Sequence, residues 1–344
     1  MLKPIAVAIG LVLMASPVRA AEDWQPDPLM LAAAKKEGEA LFYTPLIVDQ
    51  IVRPLVRAFE SRVPGVRIQF VRTDASGTIV RMINEAQAGR VQSDVWCITD
   101  GLTPLLARGL LAEFEVPSAK GLPPEMLDPR RHWVAVGLAI RSLAYNTQTV
   151  PKAQAPKTYQ DLLDPRWKAK MAWNPKSMSG AYGFIGTVIK GMGEERGMAY
   201  LRALAKQDIV PLPISIRAVL DRVIAGEYAI GLEMNNTHAA VSAALGAPVK
   251  WVPLDPVSES VHIAGLTKGG PHPNAGRLFV DFMVSRAGQE VFRESNYVPM
   301  RPDVPPRNPE LRPEQGGYRA IIYNPEEIDA DLERSIKIYE ELFR

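Results

Sequence analysis

The chain has 344 residues, with 40 Lys and Arg against 38 Asp and Glu, four histidines and one cysteine. A content of 47% hydrophobic and 23% charged residues is that of an ordinary globular protein, long enough for two domains or one large α/β unit. The near balance of charge excludes the basic surplus of a nucleic-acid binder, and a lone Cys97 excludes a disulfide framework within the chain.

The first element is an address. Lys3 precedes an apolar run at residues 5–15 (IAVAIGLVLMA), then come Pro17 and Val18-Arg19-Ala20. This order matches a secretory signal peptide over 1–20, cleaved near Ala20. The run is too short to span a bilayer, which takes roughly 20 apolar residues. Lys3 and Arg19 carry the whole positive surplus, so the chain beyond them holds 38 charges of each sign. The expected mature protein is exported and formally neutral.

Helix and strand patterns then alternate. Residues 29–37 read as a helix closed by Gly38, and 40–44 (ALFYT) as a short strand. Ile51, Leu55, Ala58 and Phe59 recur at helical spacing, with Pro54 tolerable only near the start. After the Pro64-Gly65 turn, 66–71 alternates as a strand, 78–88 is helical up to Gly89, and 95–98 is a strand. Cys97 within it reads as a small buried hydrophobe. A short helix at 104–107 ends at Gly109. Strands alternating with helices predict a mostly parallel sheet covered on both faces.

A Pro- and Gly-containing loop at 116–131 leads to two extended segments, 133–140 (WVAVGLAI) and 142–146 (SLAYN). A second α/β set follows: a helix at 159–163, a strand at 170–173, a long helical stretch from Gly180, a helix at 218–225 closed by Gly226, and a strand at 228–232. Residues 261–266 form another extended crossing, and 275–284 and 327–342 are helical. The predicted fold is therefore α/β with two lobes, a cleft between them and extended hinge crossings near Ala139 and Val261. The expected division is 21–138 with 260–300 in lobe 1, and 139–259 with 301–344 in lobe 2.

The usual catalytic and metal patterns are missing: no GxSxG, HExxH, P-loop, GxGxxG or CxxC occurs. No two histidines stand at metal-ligand spacing. His272, between two prolines, reads as a surface loop residue, His132 as structural, and His262 as a satisfied buried imidazole. Two turns share a design. Thr73-Asp74-Ala75-Ser76-Gly77-Thr78 and Asn174-Pro175-Lys176-Ser177-Met178-Ser179-Gly180-Ala181 each put hydroxyls and a glycine at a helix start. Free N–H groups there, at the positive end of the helix dipole, favour anionic oxygens. Ser, Thr and Asp are also the preferred caps of any helix, so each turn alone reads equally as a cap. The pair, one per lobe, marks Asp74, Ser76, Gly77, Ser177, Ser179, Gly180 and Ala181 as candidate ligand-binding residues. With no net charge to attract an anion, selectivity would come from these backbone amides and a nearby cation such as Lys176 or Arg217.

Several blocks, taken together, resemble a known family. They include Lys36-Glu37-Gly38-Glu39-Ala40-Leu41-Phe42-Tyr43, Ser93-Asp94-Val95-Trp96, Ala144-Tyr145-Asn146, the run from Pro156 to Trp167 (PKTYQDLLDPRW), Ser179-Gly180-Ala181, and His272-Pro273-Asn274-Ala275. In this order they resemble the periplasmic solute-binding proteins of ABC importers, in the group of ferric-iron, phosphonate, thiamine and polyamine binders. The resemblance implies a two-lobed protein of the periplasm that closes on its ligand and presents it to an inner-membrane permease; together with the paired helix starts, the expected ligand is small and anionic. The expected protein is a monomer with no enzyme activity and no cofactor. The resemblance also places Tyr43 and Thr44 in the cleft, with Ser179-Gly180-Ala181 as an anion-holding turn. Ferric members follow Asn-Asn with a tyrosine pair. Here Asn235-Asn236 runs into Thr237-His238, and Ile47 stands near a common histidine ligand position. Asn235, Thr237 and His238 are carried over as candidate ligand contacts, with no metal. Ferric iron with a synergistic anion is the alternative, and an exported enzyme on the same fold the remote one.

Overall fold

The computed structural model describes residues 24–323 and 325–344, so the segment read as a signal peptide lies outside the described residues. The first lobe is built by α1 (Pro28–Glu37), β1 (Glu39–Thr44), α2 (Arg53–Arg62), β2 (Arg67–Arg72), α3 (Ala75–Gln87), β3 (Val95–Ile98), α4 (Thr103–Ala107) and β4 (Leu111–Ala112). Capping fixes the first helix. Asp27 accepts a hydrogen bond from the Met30 amide, and Gly38 ends the helix at φ +77°, a conformation that a side chain would strain. β1 pairs in parallel with β2 and with β3.

The chain then enters β5 (Val134–Asn146), a strand buried at every position. The second lobe follows, with β6 (Met171–Trp173), α5 (Ala181–Met192), α6 (Glu194–Ala205), β7 (Val210–Pro211), α7 (Ile216–Ile224), β8 (Ile230–Asn235), α8 (Asn236–Ala244) and β9 (Val249–Val252). The return strand β10 (Val257–Thr267) is also buried throughout. Beyond it lie α9 (Pro273–Val284), α10 (Arg286–Glu294), α11 (Pro313–Gly316), β11 (Ala320–Tyr323) and α12 (Pro325–Leu342).

One sheet runs through both lobes in the order β2-β1-β3-β10-β5-β8-β6-β7, with β4 and β11 on β10 and β9 on β5. β5 and β10 are antiparallel. Leu138 lies opposite Val261 and Ala139 opposite Ser260, with a register shift at His262/Ile263. Each of these two strands serves both lobes: the C-terminal part of β10 pairs with β3, and the C-terminal part of β5 pairs with β8. Full burial on both faces explains why β5 reads as a nearly continuous apolar run rather than an alternating one, whereas β10 buries Ser258, Glu259, Ser260 and His262 among its apolar residues.

The packing divides accordingly. Phe42, Phe59, Phe279 and Phe282 sit in the first-lobe core with α9 laid across β1. Trp173, Phe184, Tyr159 and Tyr200 fill the second, where Tyr339 of α12 also packs. Cys97 is fully buried, and burial pushes its thiol up to about 12. Among the described residues no helix is long and apolar enough to cross a membrane.

Differences from the sequence expectations have local causes. The two extended segments on either side of Arg141 are one strand, because Arg141 is buried within it. The helix expected from Thr78 starts at Ala75, since Asp74 supplies the cap by accepting from the Gly77 amide at 2.7 Å. The strand expected at 228–232 lies at Ile230–Asn235 and feeds directly into α8, whose cap is Asn235. His272 is not a free loop residue: its amide and Nδ1 both reach the buried Asp94 carboxylate, at 2.6 and 3.0 Å. His132 is held in the same way by buried Asp128.

Candidate functional site

The parallel strands β1, β2, β3, β6 and β8 all end at one place, the cleft between the lobes. Ligands in α/β sheets bind beyond such carboxyl ends. A cavity of about 270 Å³ lies there. The first lobe lines it with Pro45 and Leu46 after β1, Arg72 at the end of β2, Asp74, Ala75 and Ser76 at the start of α3, and Thr99 and Asp100 after β3. The second lobe contributes Asn174, Ser177 and Ser179 after β6, Ser215, Ile216 and Arg217 at the start of α7, and Asn235 and His238 at the start of α8. The floor is Arg141 on β5, His262 on β10, and Tyr297 after α10.

Three helix starts therefore face the cavity, each capped by a side chain that leaves other amides of its first turn unpaired: Asp74 on α3, Ser215 on α7 and Asn235 on α8. The turn before α5 joins them through Ser177 and Ser179. Ser179 Oγ donates to Asp100 Oδ2 at 3.2 Å, a direct contact between the two walls.

Three guanidinium groups converge on this space. Arg72 is exposed to the cleft and makes no ion pair among the described residues. Arg217 is braced by Asp221 at 2.8 Å and Ser242 at 3.0 Å. Arg141 is 4% exposed. Its Nη2 donates to Ser260 Oγ at 2.8 Å while its Nε finds no partner. Burial pulls Arg141 below its ordinary value, and the carboxyls of Glu233 and Asp100 pull the other way.

Behind Arg141, Glu233 is buried at φ +60° in the irregular part of the β5–β8 pairing and accepts from Ser258 Oγ. Burial raises its carboxyl to about 7, against the opposing hydrogen bond and the Arg141 charge. His238 and His262 are both lowered to about 3, by burial first and by neighbouring arginines second. At neutral pH both imidazoles are uncharged, so the cavity keeps three cations against the carboxylates of Asp74 and Asp100.

The structure brings Asp74, Ser76, Ser177, Ser179, Asn235 and His238 together on the cavity, and leaves the other sequence candidates behind its walls. Tyr43 is fully buried, with its hydroxyl on Glu85 at 2.6 Å and the Arg81 guanidinium over its ring. Thr44 is buried, its Oγ1 accepting from the Leu46 amide. Gly77 packs against the Thr73 side chain, and Gly180 against the Asn174 carbonyl, which a Cβ there would approach to 2.4 Å. Ala181 is buried, with its amide on the same carbonyl. Thr237 is buried and bonded to Asn235 and Asn236. These residues shape the turns and do not face the ligand space. Lys176 is exposed outside the cavity, whereas Arg217 lines it.

Sequence reasoning passed over Arg72, Thr99, Asp100, Arg141, Ser215 and Tyr297 as contacts. One signal was present for the floor: a charged residue inside an otherwise apolar strand needs a buried reason. His262, read as a satisfied imidazole, is instead buried with neither ring nitrogen hydrogen-bonded.

Comparison with known proteins agrees with this architecture. Residues 100–319 match the family described as bacterial extracellular solute-binding protein. A Salmonella typhimurium protein provisionally named as 2-aminoethylphosphonate-binding and periplasmic is 23% identical over 255 residues, 72% of this chain and 73% of that one. The Fe(3+)-binding periplasmic protein of Serratia marcescens is 23% identical over 196 residues, 54% of this chain and 56% of that one. In three dimensions, the periplasmic binding protein AfuA of Actinobacillus pleuropneumoniae, solved with exogenous fructose-6-phosphate, superposes with a TM-score of 0.73 at 23% identity, covering 89% of this chain and 98% of that one. The family match spans well over half of the sequence, including the second-lobe wall and the floor of the cleft: the chain belongs to the bacterial extracellular solute-binding proteins, as a substrate-binding component with their two-lobed fold.

Proposed function

We propose that the protein captures a small anionic solute, of the organic acid, phosphonate or sulfonate type, between its lobes and delivers it to an inner-membrane ABC permease. The convergence of Arg72, Arg141 and Arg217 on one cavity carries this reading. Guanidinium groups hold oxyanions through directed, charge-assisted hydrogen bonds. Asp74, Ser76, Ser177, Ser179, Asn235 and His238 complete the contacts, through hydroxyls, the Asn235 amide, the His238 imidazole and the first-turn amides of α3 and α8. The same arginines disfavour ferric iron, whose high positive charge they would repel. The protein acts as a monomer in the periplasm, after loss of residues 1–20, and catalyses nothing.

Closure follows from linkage. A ligand touching both walls stabilises the closed state by its differential affinity for it. The lobes divide at the crossings near Ala139 and Val261, with 21–138 and 260–300 on one side and 139–259 and 301–344 on the other. Thermal shift and calorimetry against phosphonates, sulfonates and carboxylates test the proposal. Stabilisation by at least one class, with a smaller radius of gyration on binding, is expected. No response to any anion, together with a coloured complex on Fe(III) loading, would replace it with the metal reading.

A further inference from the structure

The floor of the cavity holds an arrangement that an anion alone does not use up. Arg141, Ser260 and His262 lie on one face of the β5–β10 ladder: Arg141 bonds Ser260, and His262 is two residues further along the same strand. His262 lines the cavity, is 7% exposed, and has neither Nδ1 nor Nε2 in a hydrogen bond. Buried polar side chains nearly always have partners. Two orphaned atoms on one ring, opening onto a ligand space, mark a place where the ligand supplies them.

The chemistry of the ring narrows what the ligand is. A neutral imidazole offers one N–H donor and one lone-pair acceptor. A fully ionised oxyanion accepts only, so it satisfies the donor side and not the acceptor side. Arg72, Arg141 and Arg217, which donate only, already provide for the anionic end. The remaining acceptor needs an O–H or N–H from the same ligand. A protonated amine there would sit beside Arg141, whose charge already acts on His262. A neutral hydroxyl meets both needs, since it donates and accepts.

We propose that His262 is a specificity-determining contact that selects hydroxylated oxyanions over their deoxy counterparts. This rests on the anion-binding reading above and names its substrate class: small phosphates, phosphonates or carboxylates carrying at least one hydroxyl within reach of the floor.

Calorimetry on the full-length mature protein tests it, with glycerol 3-phosphate against propyl phosphate and lactate against propionate. At least one hydroxylated probe should bind about tenfold or more tighter than its deoxy partner, the scale of one buried hydrogen bond with a polar group otherwise left unpaired. His262→Leu should bring that ratio close to one. His262→Gln, which keeps a donor and an acceptor, should restore part of it. Without ligand, His262→Leu should melt no lower than wild type, because it removes a buried polar group that has no partner; a merely structural histidine would lower it. Anions that bind with equal affinity within each pair, or a His262→Leu variant that keeps the preference, would overturn the assignment and leave the anion reading standing. A panel in which no anion binds would sink both.

Discussion

The walls and the floor of the cleft are built on different terms. The walls are loops at strand ends: capped helix starts, hydroxyls, and arginines that are partly solvated. The floor is two fully buried strands carrying a guanidinium and an imidazole whose hydrogen bonding is incomplete without a guest. A wall group such as Arg72 or Ser76 is hydrated when the lobes stand apart, so its net gain on binding is the small difference between water and ligand. A floor group is almost wholly buried by the fold, and polar atoms of it have no partner in the protein. Its unmet bonding is a standing cost, and the ligand recovers more there.

Arg141→Gln should therefore have the largest effect, weakening the tightest anion of the panel by about 100-fold, close to 3 kcal/mol for a buried charge-assisted bond. It also leaves Glu233 without its counter-charge, so stability falls too. Adding Glu233→Gln should recover the melting temperature but not the affinity. Equal losses from Arg141→Gln and from Ser179→Ala would erase the distinction between floor and walls.

Proton linkage sharpens the same contrast. The native state holds Glu233 and Glu259 near 7, above their ordinary 4.5, so it binds protons there more readily than the unfolded chain. That contribution is complete below about 4.5 and is lost as pH rises through 7. His238 and His262, near 3 against an ordinary 6.5, act in the opposite sense: stability is lost as pH falls from 6.5 toward 3. A melting-temperature profile should fall off on both sides. Glu233→Gln should flatten the alkaline side, by at least about 2 °C between pH 5 and 8, because a glutamine has no proton to lose.

Ser179→Ala removes the contact between the walls with Asp100 and should weaken anion binding by less than about tenfold, roughly 1 kcal/mol. The smallest effect is reserved for Tyr43→Phe. Its hydroxyl bonds Glu85 away from the cavity, so ligand affinity should stay within twofold while stability drops by about 1 kcal/mol. A large loss of affinity in that variant would return Tyr43 to the cleft.

The same divide decides what could be read from the sequence. Capped turns write themselves in local code, so Asp74, Ser76, Ser177 and Ser179 were legible from a few neighbouring letters. Gly77 and Gly180 came with them, although their role is to let backbone and side chains pack closely. Arg141 leaves only one local trace, a charge inside an apolar run, and His262 leaves none. They sit in runs whose burial comes from partners more than 100 residues away, as in the Arg141–Ser260 bond, and the apolar letters around them hide that they share one face. The α/β alternation was readable because each strand and helix carries its own periodicity. That β5 and β10 each serve two lobes was not, because pairing lies between segments and not within them.

That shared strand pair also sets an order in time. Arg141 and His262 are fixed to each other by the ladder between β5 and β10, whatever the angle between the lobes. An anion can therefore reach its deepest contacts while the cleft gapes, and the walls gather round it afterwards. Arrival would then be governed by the floor and escape by the walls. In a stopped-flow record, Ser179→Ala should shorten the residence time with little change in the association rate, and Arg141→Gln should slow association itself.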